Sequence, residues 1–435
     1  MFLQIHTLRD YCAALPNRDL SGLAKRVPYG NAERQRVSSQ CRKRALRAAE
    51  HLVRTRDDGN IVADRLKDLA RDMDMQLSVR SREVFDQVVL PEMQAVLPDE
   101  ASAARWTRMF ADIFRKEETR SAETGEDDAD TAEADDEIAR LKQPIVIGHP
   151  EARALASVAK ALHDAAERGD GPSVDDLTGG KKQSKLEDLL EKGAQGRTVK
   201  NVPDDVKDAL ANLRAVRKHC GIDGAMFGRF ATHDILASVD SAVQVAHAIT
   251  VHPVAVEADY RTVVDEWQTA ERGAANTGTD EIASSLFYEY AVVDLNQLAA
   301  NFAGSSPDQL AALVGWLVRA LHGVEPAAKL GSTAPYSDVP EMLVELGRRR
   351  PRSLVRAYQD AIRPRELNAD LADRAIQLLD SQRQHANARI GSPDATWKLS
   401  DMAAGDTKPA VEVIADAAAE RARTWFAQRA EKAAA

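Results

Sequence analysis

Residues 26–47 read RVPYGNAERQRVSSQCRKRALR and form a strongly basic stretch in an acidic chain. Between Arg18 and Arg47 the sequence holds nine Lys and Arg residues against two acids, whereas the whole chain has a formal net charge of −10 and a pI near 5.6. A local excess of this sign cannot come from the bulk composition, so it indicates a partner. The partner that fits is a polyanion.

Upstream of the basic stretch, the segment MFLQIHTL at 1–8 alternates in polarity. Leu3 and Ile5 fall on one side, and Gln4 and His6 fall on the other. This alternation predicts a β-strand that begins at residue 2.

A loop and a helix are predicted next. The loop is LPNRDLSG at 15–22, whose composition is typical of turns. The helix is expected to begin at Ser38 or Ser39, both good N-caps, and to run to about Thr55. Its predicted buried face consists of Cys41, Ala45, Ala48 or Ala49, and Leu52.

Length and composition limit the class of protein. At 435 residues the chain can hold two or three domains, or one domain with large insertions. No stretch approaches the roughly 20 apolar residues of a membrane helix, and the N-terminus does not resemble a signal peptide, so we expect a cytoplasmic protein. The three cysteines and ten histidines lack paired metal-ligand spacing. We therefore predict neither a metal site nor a cofactor.

The composition also changes along the chain. A mostly helical segment is predicted from about 60 to 217, interrupted by an acidic run expected to be disordered at 117–137 and by a mobile loop at 168–185. Strand patterns return at 221–233 and 241–254. The later predictions are a polar arm over 255–280, strands at 284–295 and 341–347, and helices near 307–322, 352–362, 367–384 and 409–431.

The residues near position 40 are spaced to meet a phosphate backbone. Gln40, Lys43 and Arg47 are three and four residues apart and project from one face of the predicted helix. The helix start at Ser38 and Ser39 would add free backbone N–H groups and the positive end of the helix dipole.

Arg34 and Arg36, just upstream, complete this predicted phosphate cradle if their segment is extended. Because a cradle contacts phosphates and not base edges, it is expected to bind with little sequence preference. The alternative is a solvated helix face that mixes charges of both signs at i and i+4. The helix offers no acid before Glu50 to its four cations, which are Arg42, Lys43, Arg44 and Arg47.

Aromatic residues beside cations are candidates for stacking on the bases of a single strand. Phe227 and Phe230 flank Arg229 on a predicted strand, and Tyr260 precedes Arg261 in the polar arm. The alternative is that either pair belongs to the core, and alternation favours this for Phe227 over Phe230.

Common enzyme motifs are missing from the sequence, including a Walker-type loop, a nucleophile elbow and a dinucleotide fingerprint. One candidate general base is His6, which would make the protein a metal-independent endoribonuclease. The sequence places no second histidine or tyrosine beside it, which favours a histidine packed in the sheet. A third alternative is a DNA-binding regulator that inserts the helix at 40–55 into a groove and reads bases.

Several segments resemble the CasC family, the repeated backbone subunit of the type I-E CRISPR surveillance complex called Cascade. They are LPNRDLSGLAKR with RQRVSSQCRKRALR, then DGAMFGRFATHD, VQVAHAITVHPV and GTDEIASSLFYEYAVVDL. They keep the family's order and cover about the first fifty residues and roughly 221–300. The RVSSQ element followed by KRA is specific to the family.

The resemblance implies an α+β fold shaped like a right hand. The palm would be a modified RRM-like (ferredoxin-like) sheet, the fingers a helical insertion, and the thumb a long β-hairpin. The implied boundaries are palm at 1–60, fingers at 61–217, palm at 218–254, thumb at 255–282, palm at 283–390 and a C-terminal helical tail at 391–435.

The resemblance also implies RNA contacts at Arg18, Lys25, Ser38, Gln40, Lys43 and Arg47, a wedge against a base at Phe230, and thumb contacts at Tyr260 and Thr262. Arg261 departs from the family, in which an aromatic is common, although an arginine plane can still stack. The acidic run at 117–137 also departs from it. The full predicted RNA-binding set is Arg18, Lys25, Arg26, Arg34, Arg36, Ser38, Ser39, Gln40, Lys43, Arg44, Arg47, Arg229, Phe230, Tyr260, Arg261 and Thr262.

The function implied is that of a non-catalytic scaffold that polymerises head to tail along CRISPR guide RNA in antiviral defence. Sequence specificity would come from pairing of the RNA with a target DNA strand. The implied partners are the guide RNA, that DNA strand, further copies of the chain and other Cascade subunits, with no membrane. Head-to-tail stacking is open, so RNA length or other subunits must end it.

Overall fold

The computed structural model describes residues 1–122, 141, 143–178, 185–231, 235–263, 276–326, 330–363, 370–402 and 408–434. The chain divides into two compact units. The first unit comprises residues 1–69 and 243–435, and the second comprises residues 70–242. The predicted acidic run lies outside the described residues from 123 onward, as do 179–184 of the predicted loop at 168–185 and 264–275 of the predicted arm.

The described chain combines helices with an antiparallel sheet, which makes the fold α+β. The strands are β1 Phe2–Ala14, β2 Arg26–Tyr29, β3 Ala32–Val37, β4 Val53–Thr55, β5 Ile61–Ala63, β6 Val79–Ser81, β7 Ile145–Ile147, β8 Val243–Val245, β9 Ala248–Thr250, β10 Glu257–Val263, β11 Asn276–Asp294, β12 Glu341–Gly347 and β13 Ala395–Lys398. The helices are α1 Ser39–Ala48, α2 Leu66–Asp72, α3 Leu90–Val96, α4 Glu100–Ala122, α5 His149–Arg168, α6 Val174–Thr178, α7 Lys185–Gln195, α8 Asp204–Val216, α9 Ile222–Phe227, α10 Leu295–Asn301, α11 Pro307–Gly323, α12 Leu330–Thr333, α13 Leu371–Ile390 and α14 Ala410–Ala434.

The first unit is built on an antiparallel sheet with the strand order β13-β12-β1-β11-β9-β3-β2 among the described residues. The strand predicted from residue 2 is confirmed as β1, which pairs with β11 on one side and β12 on the other. Leu3, Gln4, Ile5 and His6 are all buried. Both faces of this central strand are covered, by α11 and by α13, so the polar residues of the alternation are enclosed as well.

Strand β11 continues from the sheet into a hairpin arm. Its residues 283–294 pair with β1, whereas residues 276–282 pair with β10 in the register Glu257↔Ile282 to Val263↔Asn276. A single strand therefore belongs both to the sheet and to the arm, which gives the arm a fixed base.

The second unit is mostly helical around one apolar core. Trp106 and Phe110 of α4 and Leu155 of α5 are fully buried in it. Residues 218–242 group with this unit, whereas the implied boundaries assign them to the palm. The strand predicted at 221–233 is wrong, because residues 222–227 form helix α9. The Asp223 carboxylate accepts hydrogen bonds from the Ser78 N–H and hydroxyl, both at 2.7 Å.

Other predictions differ from the structure in their extent. Helix α1 ends at Ala48 and not near Thr55, because Ala49 adopts a left-handed conformation with φ of 36°. The helix predicted at 352–362 is only a short 3₁₀ turn, Val355–Tyr358, and the predicted helical tail also supplies strand β13. The predictions at 307–322 and 341–347 are confirmed as α11 and β12.

Candidate nucleic-acid interface

The loop that follows β1 is a well-bonded turn. The Asp19 carboxylate accepts a hydrogen bond from the Leu23 N–H (3.0 Å), and Gly22 has a positive φ of 81°. Arg18 is exposed at one end of this turn, and the partly exposed Lys25 lies at the other. Two of the predicted RNA-binding cations therefore flank one fixed turn.

Helix α1 begins at the N-cap Ser38, whose hydroxyl accepts a hydrogen bond from the Cys41 N–H (3.2 Å). The Ser38 N–H donates to Asn17 Oδ1 (2.9 Å), and the Ser39 N–H donates to His247 Nδ1 (3.3 Å). These N–H groups are bonded inside the protein, which corrects the prediction that they are free for a phosphate. Their acceptors come from distant parts of the sequence.

The inner face of α1 carries an arginine. Arg42 is buried, and its guanidinium donates to the Glu289 carboxylate of β11 (3.0 Å) and to the Ala246 carbonyl (2.9 Å). The acid that meets Arg42 therefore comes from β11, outside the helix. The buried side of the helix runs through Arg42 and Leu46, one position away from the predicted Cys41 and Ala45.

The outer face of α1 carries the remaining polar and cationic side chains. Gln40 and Arg44 are exposed, and Lys43 and Arg47 are partly exposed. The structure thus brings four members of the predicted RNA-binding set together on one helix surface.

Arg34 does not belong to this surface. It lies on β3 and is fully buried, and its guanidinium donates to the carbonyls of Thr250 (2.9 Å) and Tyr358 (2.8 Å). A guanidinium enclosed in this way has no open side toward a phosphate. The structure therefore corrects the prediction that Arg34 lines the cradle.

Arg26 and Arg36 are partly committed to protein contacts. Arg26 on β2 pairs with Glu281 of β11 (3.0 Å). Arg36 on β3 lies with its guanidinium 3.2 Å from His247 Nδ1. Both side chains also reach the surface.

His247 is an exposed residue of this surface and is not among the predicted RNA-binding residues. Its Nδ1 faces two donors, the Ser39 N–H and the Arg36 guanidinium. Partial burial and the positive charges of Arg36 and Lys25 lower the pKa of the imidazole. The ring is therefore neutral at pH 7, with its proton on Nε2. No local pattern marks this residue, because its neighbours come from residues 25–39.

In the second unit, Phe230 exposes 87% of its surface on the loop after α9. The preceding Arg229 is buried, and its guanidinium donates to the Glu151 carboxylate (2.6 Å) and to the carbonyls of Arg217 and Ala237 (both 2.7 Å). This corrects the prediction that Arg229 contacts RNA, because it anchors the loop from within. Phe230 is displayed by that loop.

The hairpin arm carries Tyr260, Arg261 and Thr262 on β10, and all three are exposed, Tyr260 by 64%. The Arg261 guanidinium lies 3.0 Å from the Asp280 carboxylate across the hairpin. It passes over Gly278, its partner in the strand register. Arg261 thus pairs with Asp280, whereas the ring of Tyr260 is exposed to solvent.

His6 lies in the middle of the sheet and is fully buried. Its Nδ1 is 2.8 Å from the Tyr288 hydroxyl, and its Nε2 is 4.0 Å from the Glu345 carboxylate. Burial lowers its pKa to about 3. The imidazole is neutral at pH 7 and is enclosed on both faces.

Within the described part of the chain, no group of three or more His, Cys, Asp or Glu side chains is placed to hold a metal ion. No helix of this part has both the length and the apolar character that a membrane span requires.

Solved structures define the class of fold. A chain of a CRISPR RNA-guided surveillance complex in a pre-nicking state matches with a TM-score of 0.69 and 22% identity, over 97% of this chain and 100% of that chain. A chain of another CRISPR RNA-guided surveillance complex matches with a TM-score of 0.58 and 20% identity over the same shares. The protein therefore has the α+β fold of subunits of such complexes.

The family follows from the sequence match. The family model Cas_CT1975, described as CT1975-like protein, matches residues 3–422. The chain belongs to this family of Cas proteins. Among curated proteins, none matches it.

Proposed function

We propose that the protein is the CasC-type backbone subunit of a type I-E Cascade complex. In this role it is a non-catalytic scaffold that polymerises along CRISPR guide RNA and presents RNA segments for pairing with target DNA in antiviral defence. It acts in the cytoplasm, together with other Cascade subunits. The observation that carries the proposal is the outer surface of α1, which displays Gln40, Lys43, Arg44 and Arg47. The N-cap of this helix, Ser38, is bonded to Asn17 beside the cation-flanked turn.

The orientation of α1 supports backbone binding. Arg42 holds the helix against β11 through Glu289, so the other cations point away from the sheet. Cations presented on one face contact successive phosphates and not base edges. We therefore expect binding that is similar for all RNA sequences and strongly dependent on salt.

The resemblance to the CasC family implies a palm, fingers and a thumb. The sheet of the first unit serves as an RRM-like palm, the second unit as fingers, and the β10–β11 hairpin as a thumb. Tyr260 and Phe230 are open aromatic side chains that suit stacking or wedging against bases. Copies stack head to tail, a heterologous contact that repeats along the RNA.

Burial of His6 argues against the alternative function, an endoribonuclease. A general base must come within about 3 Å of the proton it removes. His6 is enclosed between sheet neighbours and bonded to Tyr288. A pKa of about 3 also leaves it a weak base.

Nuclease protection tests the proposal. The chain is co-expressed with a guide transcript and its neighbouring operon genes, purified and treated with ribonuclease. Protected RNA in a ladder with a constant step supports a repeated scaffold. Absence of RNA, or cleaved products of one discrete size, contradicts it.

A double variant then tests the surface of α1. Lys43→Ala with Arg47→Ala should lower the salt slope of RNA binding by about 1.4, which corresponds to about sevenfold between 50 and 200 mM salt, if each residue contacts one phosphate of a single strand. The control is Arg374→Gln with Arg421→Gln, two exposed arginines elsewhere on the first unit. A loss confined to one RNA sequence would refute backbone contact.

A further inference from the structure

A second group of arginines follows the end of β12. The sequence at 348–352 is RRRPR. The first three, Arg348, Arg349 and Arg350, are exposed, and Arg348 shows 77% of its side chain to solvent. Arg352 turns inward instead and donates to the Glu345 carboxylate (3.2 Å). The chain thus displays three consecutive cations while it buries the fourth.

The displayed arginines have little acidic compensation. The carboxylate nearest to Arg348 is that of Asp394, at 3.7 Å, and this pair is exposed. An exposed pair of this kind is a weak contact, because water and salt screen it. Neither Arg349 nor Arg350 forms an ion pair with a residue that the structure describes. Arg349 lies against Gly391, at the end of α13.

Further positive charge converges on the same end of the sheet. The N-terminal amine of Met1 feels the positive charges of Arg429 and Arg348 as well as the negative charges of Asp294 and Asp394. Arg429 therefore lies near the same amine as Arg348 and adds a fourth cation to the run Arg348–Arg350. In a chain with a net charge of −10, such a local excess requires the same explanation as the stretch at 18–47.

The strand register separates this group from the surface of α1. Gly347 pairs with Phe2, and Phe2 pairs with Asp294 at the end of β11. Helix α1 is bound to Glu289 of the same strand, five residues from Asp294, which places the helix roughly 17 Å from the arginines along the strand. In the sheet, β1 also lies between β11 and β12.

We propose that Arg348, Arg349 and Arg350 form a second contact for nucleic-acid phosphates, distinct from the surface of α1. Three consecutive guanidinium groups match a ligand with closely spaced negative charges, which a nucleic-acid backbone supplies. The polymer is either another part of the guide RNA or the DNA that pairs with it. This choice of polymers rests on the proposed function.

The test uses Arg348→Gln with Arg350→Gln and leaves Arg349 in place, because Arg349 packs against Gly391. Arg348→Lys with Arg350→Lys keeps the charge, and Arg374→Gln with Arg421→Gln is the matched control. One arm measures the salt dependence of guide RNA binding by the chain. The other arm measures the salt dependence of complementary DNA binding by the RNA-loaded chain.

The glutamine variant should lower the salt slope by about 1 to 2 in one of the two arms, while the lysine variant and the control keep it. The affected arm identifies the polymer. Unchanged slopes in both arms overturn the second contact, and so does a loss of contact between copies of the chain at unchanged nucleic-acid affinity. Failure of the unaltered chain to protect RNA refutes the proposed function instead.

Discussion

His6 should remain uncharged in the folded protein far below neutral pH, and this makes the stability of the sheet depend on pH. It is fully buried on β1, bonded at Nδ1 to the Tyr288 hydroxyl (2.8 Å) and stacked on Tyr290 with ring centroids 4.8 Å apart. Burial, followed by the positive charges of Arg352 and Arg383, lowers its pKa to about 3. The ordinary pKa of histidine is about 6.5.

The direction in which pH changes the stability follows from proton binding. Between pH 6.5 and pH 3 the unfolded chain binds a proton at His6 and the folded chain does not, so the free energy of unfolding falls as the pH is lowered. The two pKa values give a decrease in the free energy of unfolding of about 2 kcal/mol between pH 7.5 and pH 5. His322, whose pKa burial lowers to about 4, acts in the same direction.

The His6→Phe variant separates the two histidines. It keeps a ring against Tyr290 but removes the ring nitrogen that is bonded to the Tyr288 hydroxyl, which should cost about 1 to 3 kcal/mol at pH 7.5. The contribution of His322 is the same in both proteins and cancels. The difference between the free energies of unfolding of wild type and variant should therefore be about 2 kcal/mol smaller at pH 5 than at pH 7.5.

Hydrogen exchange of the β1 amides, corrected for the intrinsic exchange rate at each pH, measures this difference. A difference that is the same at pH 7.5 and pH 5 would refute the argument, because it would mean that burial does not hold His6 neutral.

Three further variants distinguish buried from displayed residues. Arg42→Met should lower the free energy of unfolding by about 3 kcal/mol, because it leaves the buried Glu289 with only a second arginine at 3.6 Å; thermal unfolding of the chain measures it. Arg229→Met should cost about 3 to 5 kcal/mol, because Glu151 loses its partner, and should speed limited proteolysis within 70–242. Phe230→Ala should change stability by no more than about 0.5 kcal/mol, yet blur the ladder of protected RNA.

The elements that the sequence predicted well are those whose own residues carry the signal. Alternation at residues 2–6 predicted β1, and the helix predicted at 307–322 is α11, which begins after the N-cap Ser306. Helix α9 was missed because its stability comes from outside the segment: the Asp223 carboxylate is bonded to Ser78, which lies 145 residues away. A short segment of mixed pattern cannot reveal such a partner.

The candidate site also combines features that the local sequence shows with features that depend on distant residues. The local excess of cations was visible in the sequence, and so was the spacing of Lys43 and Arg47. The burial of individual arginines was not, because the acceptors of Arg34 and Arg42 lie 216 and 247 residues away. Charge alone also does not distinguish Arg229, which anchors a loop, from a cation that contacts a ligand.

The buried arginine of α1 explains how a basic helix can display its other cations in a fixed direction. Arg42 donates to a carboxylate of β11 and to the Ala246 carbonyl, so its planar guanidinium fixes both the position of the helix and its rotation about its own axis. Because side chains follow each other by about 100° around a helix, fixing residue 42 also fixes the directions of residues 43, 44 and 47. A lysine at position 42 would supply a point charge without the planar fork, so it would fix the rotation of the helix less firmly. The pairing with Glu289 thus gives Arg42 a structural role, and it directs Lys43, Arg44 and Arg47 to the surface where a ligand can bind.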